Sequence, residues 1–310
     1  MLFIDFKEDI LSLKLSEPVP LPRPKMKGVV WHYTGTAGFQ GIVENNSLWA
    51  SSPQVLNDLS EIGYGEGLVK ETWKAMRQES LPAQAVRHLD RVLDHRFADT
   101  LSESVFIVSA SDDPDLLNQW AHYGGAAGFA IGLNVPTLLT VDGTSYTFPR
   151  PVHEMHILMA WYSVIYEKSE QKKAVEKLLR FMVRQVGEDR GSEQENMAII
   201  SDRFLIQTLI VQLKHPAFSA EKEVRYVAAL PPGKKPVFRS TAERLIPYVN
   251  LLPARLNLRE EENPQMISGI TLGPSVRPGT RGVVDRLLAL QGMGKVEIRD
   301  SEIPYLASRF

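Results

Sequence analysis

Apolar positions along this chain follow two periods, and the changes between them mark out its elements. Alternating or continuous apolar runs rich in Val, Ile, Trp, Tyr and Phe predict strands at 28–34 (GVVWHYT), 48–52 (LWASS) and 104–111 (SVFIVSAS). Similar runs predict strands at 128–134, 158–166, 223–230 (EVRYVAAL), 266–272 and 295–299. A helical period predicts a short helix over 36–46, with Thr36 as N-cap and Phe39, Ile42 and Val43 on one face. Residues 65–98 read as helical, marked by Leu68, Trp73, Met76, Val86, Leu89, Leu93 and Phe97 and interrupted near Pro82. Pro114 suits the first position of a helix over 114–123, and further helices are expected at 169–186, 194–213 and 280–291.

Strands and helices are interspersed without regular alternation, and the strands are short. That pattern predicts an α+β fold, with a mixed or antiparallel sheet and helices packed around it. Residues 17–27 (EPVPLPRPKMK) carry four prolines and three basic residues, which removes backbone donors and disfavours helix. The expected organisation is an N-terminal arm over 1–27 and one domain over 28–310, with helical insertions at about 65–98 and 169–213.

Composition narrows the chemistry. The 310 residues are 44% hydrophobic and 23% charged, the mix of an ordinary globular protein. A chain this long buries roughly 70–75% of the surface its unfolded form exposes, so its core needs no staples. The absence of cysteine excludes disulfides, thiolate metal sites and cysteine nucleophiles. A net charge of -2 argues against general coating of nucleic acid. Asp5, Lys7, Glu8 and Asp9 interrupt the region where a signal peptide needs an apolar run. The longest apolar stretch, 126–141, is broken by Asn134 and Pro136 and is too short to span a bilayer. These features lead us to expect a cytoplasmic protein with no membrane partner.

Several islands can carry chemistry. His32-Tyr33-Thr34 ends a strand just before a glycine turn and a helix N-terminus, a place suited to an anion or a ribose, or else to a half-buried histidine bonded to backbone. Ser109 and Ser111 share one face of their strand and can hold a ligand or orient a carboxylate; turn-forming serines at a strand end read the same way. Glu221, Glu223 and Arg225 share a face if 221–225 is extended. Such a group either lines a cleft or decorates a solvated edge strand. Gln119-Trp120-Ala121-His122-Tyr123-Gly124-Gly125 can shape a pocket or pack a helix end, and Asn57-Asp58-Leu59-Ser60-Glu61 reads as a capped turn. Between Lys214 and Arg244, seven Lys/Arg face three Glu, an excess suited to an anionic ligand or to solubility alone.

Metal sites find little support. His153-Glu154-Met155-His156 lacks the i, i+4 spacing of a metalloprotease helix, and His88 with His95 has no acidic partner pattern. No Walker A motif, no Gly-x-Gly-x-x-Gly after a strand and no Gly-x-Ser-x-Gly elbow is present.

Taken in order, HYT at 32–34, LWASS at 48–52, Asn57-Asp58 with Glu61, VSAS at 108–111, QWAHY at 119–123, Gly128-Phe129, Lys214, EKEVR at 221–225 and SEIPY at 301–305 resemble the bacterial domain-of-unknown-function family 2971 over about residues 28–305. That family name supplies no activity. A more distant resemblance does. A first-strand His, a middle Ser-x-Ser strand and a late Glu-x-Glu are similar to the three-part signature of the ADP-ribosyltransferase superfamily, in its toxin and phage-defence branch.

The resemblance implies NAD as ADP-ribose donor, without a metal. It implies Glu223 as the catalytic carboxylate and Glu221 orienting the acceptor. NAD would be held by His32, Tyr33, Thr34, Ser109, Ser111 and Arg225, with Trp120 or Tyr123 against nicotinamide. Lys214, Lys222 and Asn57 would meet the acceptor, a nucleic acid or a protein, with an antitoxin or chaperone as a further partner. The middle strand lacks that branch's arginine, and Arg225 beside Glu223 also fits a structural ion pair. Two other classes stay open: a non-catalytic binding or sensing module of the same fold, and a metal-dependent nuclease using Glu221, Glu223 and Asp58.

Overall fold

The structure, a computed structural model, describes residues 18–55, 60–94, 105–125, 127–142, 159–186, 192–230, 233–241, 244–254 and 265–304. The chain folds as α+β around a sheet that has eleven strands among the described residues: β1 (Val29–Thr34), β2 (Leu48–Ser51), β3 (Val105–Ser111), β4 (Phe129–Asn134), β5 (Leu139–Val141), β6 (Met159–Ser163), β7 (Glu223–Ala229), β8 (Val237–Ser240), β9 (Leu245–Pro253), β10 (Ile267–Leu272) and β11 (Glu297–Asp300). The main path runs β11-β10-β4-β1-β3-β2-β9-β5; β7 pairs with β3 and β6, and β8 with β9. Neighbours are antiparallel except for the parallel pair β10–β11. The main helices are α1 (Thr36–Asn45), α2 (Ser60–Met76), α3 (Ala83–Val92), α4 (Lys168–Gln185), α5 (Ser192–Ile210) and α6 (Thr280–Leu290).

Two apolar layers sandwich the sheet because its central strands are apolar on both faces. On β3, Phe106, Val108 and Ala110 join α1 and α6 on one side, while Val105 and Ile107 join α2 to α5 on the other. β7 divides in the same way, with Val224, Tyr226 and Ala228 against Val227 and Ala229. The region expected as helical insertions is therefore one continuous helical layer over β3, β6 and β7.

Most predicted elements are present, with shifts at their ends. Gly35 rather than Thr36 precedes the first helix, in extended conformation and with no side-chain cap. Helical structure after β3 begins at Leu117, not at Pro114, because Asp113 Oδ1 accepts the N–H of Asp115 and Tyr33 Oη that of Leu116. β5, β8 and β9 were not expected. β9 holds Pro247 and Pro253, which mask its pattern, and β5 is held by Tyr226, whose hydroxyl donates to Leu139 O (2.7 Å) and accepts from Leu139 N (3.0 Å). The proline-rich arm is extended and docked: Lys25 N donates to Trp161 O at 2.8 Å, and Val19 and Leu21 pack on the helical layer.

Candidate functional site

The sheet parts at β3. β7 follows one edge of β3 from Val105 to Ser111. On the other edge β1 touches it at Ser111 and β2 at Ile107. Between these two bridges no strand lies beside β3 among the described residues, and the Ser109 carbonyl instead accepts His32 Nδ1–H at 2.8 Å. A cleft of about 970 Å³ opens at this parting, which is why Ile107 and Val108, on opposite faces of β3, both line it. Its walls are β1 with α1, β2 with β8 and β9, and the segment from Lys214 to Arg225.

A carbonyl acceptor requires the proton on Nδ1 of His32, which leaves Nε2 as an acceptor. Burial, helped by the charge of Arg239, lowers the His32 pKa against the opposing bond to Ser109, so the ring is neutral at pH 7. Beside it α1 begins close to β1. A Cβ on Gly38 would lie 2.0 Å from Thr34 Oγ1, so only glycine allows this approach.

One wall is a buried ion cluster. Lys214 Nζ meets Glu61 at 2.8 Å, Glu221 at 2.7 Å and Glu223 at 2.9 Å. Arg225 binds both oxygens of Glu223 (2.7 and 2.8 Å), reaches Glu61, and donates to Val211 O at 2.8 Å. Three carboxylates against two cations leave one net negative charge. Burial pushes the Glu223 carboxyl up, but Arg225, then Lys214 and the Ser109 hydroxyl, outweigh it and hold the pKa down at about 2. Lys214 and Arg225 move the other way, raised by their carboxylates against burial.

Local backbone explains how the cluster forms. Gly65 lets α2 lie against Ile210, since a Cβ there would sit 2.9 Å from that side chain. The close approach carries Glu61, on the first turn of α2, to the end of α5. Lys222 adopts the left-handed conformation (φ 47°, ψ 42°) between a 3-10 turn, Pro216–Glu221, and β7. The reversal lets Glu221 and Glu223 converge on one ammonium.

Glu221 therefore joins from the end of a turn, not from the face of an extended strand as expected. Nor is β7 a solvated edge: it lies between β3 and β6 and is buried throughout. Glu223 has its acceptors filled, with 7% of its side chain exposed, whereas Glu221 keeps 17% exposed and accepts from Lys214 Nζ at Oε2.

Of the residues predicted from sequence, His32, Thr34, Ser109, Tyr123, Lys214, Glu221, Glu223 and Arg225 line the cleft. Four take other roles. Tyr33 points to the opposite face, donates to Asp113 O at 2.8 Å, and is held well above its ordinary pKa by burial. Trp120 is buried edge-on to Tyr33, its indole N–H donating to Asp115 Oδ1 at 2.6 Å. Ser111 is buried and donates to Glu221 O at 2.8 Å, which pins the 3-10 turn to β3. Lys222 is an exposed partner of Asp113 at 2.8 Å. Asn57, Asp58, His95 and the segment 153–156 lie outside the described residues.

Sequence reasoning missed β8 and β9 and gave the residues of β2 no place in a site. Trp49, Ser51, Arg239, Arg244 and Ile246 line this wall, and Asn118 and His122 line the cleft together with Tyr123. The signals in the sequence were the LWASS and QWAHY islands and the basic excess after Lys214. Residues 120–124 form a single π-helical turn, a distortion common at functional sites, which presents His122 and Tyr123 to the cleft while Trp120 anchors the turn below.

A protein-family model described as "Protein of unknown function (DUF2971)" matches residues 119–226. The match supports the domain-of-unknown-function family over about a third of the chain, from the π turn to β7, and so covers Lys214, Glu221, Glu223 and Arg225 of the ion cluster but not Glu61, His32 or Arg239. No curated protein and no solved structure matches the chain. Among the described residues no helix is long and apolar enough to cross a membrane, and no group of three or more His, Asp or Glu side chains is disposed to hold a metal ion.

Proposed function

We propose that the cleft is the site of an NAD-dependent ADP-ribosyltransferase, a bacterial toxin or anti-phage effector acting on a nucleic acid or a protein. One observation carries the reading. The strands bearing His32, Ser109 and Glu223 are consecutive in the hydrogen-bonded order β1–β3–β7, and all three side chains open into one cleft although far apart in sequence. Its volume of about 970 Å³ is at the upper end for small-molecule sites and admits a dinucleotide.

The chemistry asks for little beyond placement. The C1′–N bond of NAD breaks, and its electron pair leaves with neutral nicotinamide. The acceptor oxygen or nitrogen bonds C1′ and gives up its proton to a carboxylate or to water. A fixed negative charge near the developing oxocarbenium ion stabilises the transition state.

Roles within the Glu-x-Glu pair follow from the hydrogen bonds. Glu221, which lines the cleft with 17% of its side chain exposed, is the carboxylate that faces the cation and takes the acceptor proton. Glu223, bound by Arg225 and Lys214, is a positioning residue that holds the ammonium on which Glu221 rests. The test is nicotinamide release from NAD by the purified full chain, with DNA, RNA or cell lysate added. Release lost in Glu221→Gln, with an unchanged thermal midpoint, supports the reading. No release under any condition from folded protein overturns it.

The saturation of Glu223 specifically favours a second reading, a non-catalytic binding module of the same fold. It predicts that nucleotide binds and is never turned over. The nuclease reading gains nothing here, because the three glutamates converge on Lys214 and a cation already occupies their focus.

A further inference from the structure

The geometry points to a nucleoside-phosphate site on the wall opposite the glutamates, where Arg239 holds a phosphoryl group and Trp49 stacks the base. The inference rests on the cleft being the ligand site proposed above. It does not need the ligand to be cleaved.

Arg239 projects from β8 into the cleft wall. Its Nη2 donates to Ser51 Oγ at 3.3 Å, and its Nε is buried with no hydrogen-bond partner among the described residues. A guanidinium offers five donors in a planar fork that matches two oxygens of a phosphoryl group. Burying such a charge with a donor unused is unfavourable unless an acceptor arrives from outside the chain. Burial lowers its pKa, with only partial opposition from Tyr248.

Trp49 stands beside it. The guanidinium lies 5.4 Å from the indole centroid, and the Tyr248 ring supports the indole at 4.8 Å and 41°. Trp49 nonetheless remains 50% exposed and lines the cleft. A held, half-exposed indole next to an underused guanidinium suits a flat ring joined to an anion by a short linker. His32 supplies the third contact: its Nε2 accepts a sugar hydroxyl, since Nδ1–H is committed to Ser109 O.

Charge orients the ligand. The Lys214–Arg225 cluster carries an excess carboxylate, so an anion is repelled from that wall and drawn to Arg239 and Arg244. The sugar then lies between His32 and Glu221.

The experiment is isothermal titration calorimetry of the full chain with AMP, adenosine and inorganic pyrophosphate, on wild type, Arg239→Gln and Trp49→Leu. Wild type should bind AMP about tenfold or more tighter than adenosine, the contribution of one charge-assisted fork. Arg239→Gln should erase that preference and weaken pyrophosphate. Trp49→Leu should weaken AMP and adenosine by a similar factor and leave pyrophosphate unchanged. Equal affinity for AMP and adenosine in wild type, unaltered AMP binding in Arg239→Gln, or no binding of any probe would overturn the inference.

Nicotinamide release by the same variants separates the two readings. If Arg239→Gln loses AMP while wild type never cleaves NAD, the site stands and the transferase falls. If NAD is cleaved at the wild-type rate and affinity by Arg239→Gln, the transferase stands and this site falls.

Discussion

Arg225 and Arg239 line the same cleft, and their surroundings could hardly differ more. Arg225 is 1% exposed, and its donors meet Glu223, Glu61 and the Val211 carbonyl. Arg239 gives one long bond to a hydroxyl and keeps a buried donor unused. The first is part of how the fold closes: it ties β7 to α2 and to the chain leaving α5. The second is held by packing on Trp49. A charged side chain in a cleft is thus read by what saturates it. The filled partners of Arg225 fit a structural role, and the unused donor of Arg239 is what the proposed ligand would meet.

The largest test of this contrast is stability. Arg225→Ala leaves Glu223 and Glu61 buried with one cation fewer and should lower the unfolding free energy by about 3–5 kcal/mol. Arg239→Ala should lower it by about 1 kcal/mol or less, mostly lost stacking on Trp49. Urea unfolding of both variants beside wild type would show this. Equal losses would break the comparison.

Acid provides the next test. Glu223 titrates near 2 in the folded protein and near its ordinary 4.5 unfolded, so the unfolded chain takes up a proton first as pH falls. Its contribution is fully present above pH 4.5 and is lost between 4.5 and about 2. Stability curves against pH should therefore be flatter through that window in Glu223→Gln than in wild type. A variant with the same slope as wild type would show that Glu223 is not held ionised by the cluster.

A smaller effect is expected at Glu221. With its side chain partly exposed and one contact to Lys214, Glu221→Gln should change stability by about 1 kcal/mol or less while abolishing nicotinamide release. A change of several kcal/mol would move Glu221 to the structural side of the comparison. Smallest of all is Lys222→Gly. It relieves a left-handed backbone worth roughly 1 kcal/mol and loses an exposed ion pair with Asp113 of similar or smaller worth. The thermal midpoint should move by only a degree or two.

Much of this was legible in the chain. Strands β1, β3, β4 and β7 carry apolar runs too long for turns and too rich in β-branched and aromatic residues for exposed helix, so their presence follows from local propensity and burial. His32, Ser109 and the Glu-x-Glu segment stood out because polar groups at the ends of buried strands are costly unless something meets them. Of the cleft's other wall only β2 was legible. β9 hides its period behind two prolines, β8 is four residues long, and Arg239 in sequence is one cation among several after Lys214.

The sequence by itself determined which segments are strands and helices, the α+β class, and which titratable groups lie near buried strand ends. Those properties depend on side-chain period and on neighbours a few residues away. Only the tertiary structure decided that Glu223 is saturated and Glu221 is not, that Tyr33 and Trp120 face away from the cleft, and that Arg239 keeps an unfilled donor. Each depends on partners brought from far along the chain: Glu61 to Arg225 across α2 and β7, His32 to Ser109 where the sheet parts, and Ser51 to Arg239 between β2 and β8. Hydrogen-bond saturation is a property of three-dimensional neighbours, and no local pattern encodes it.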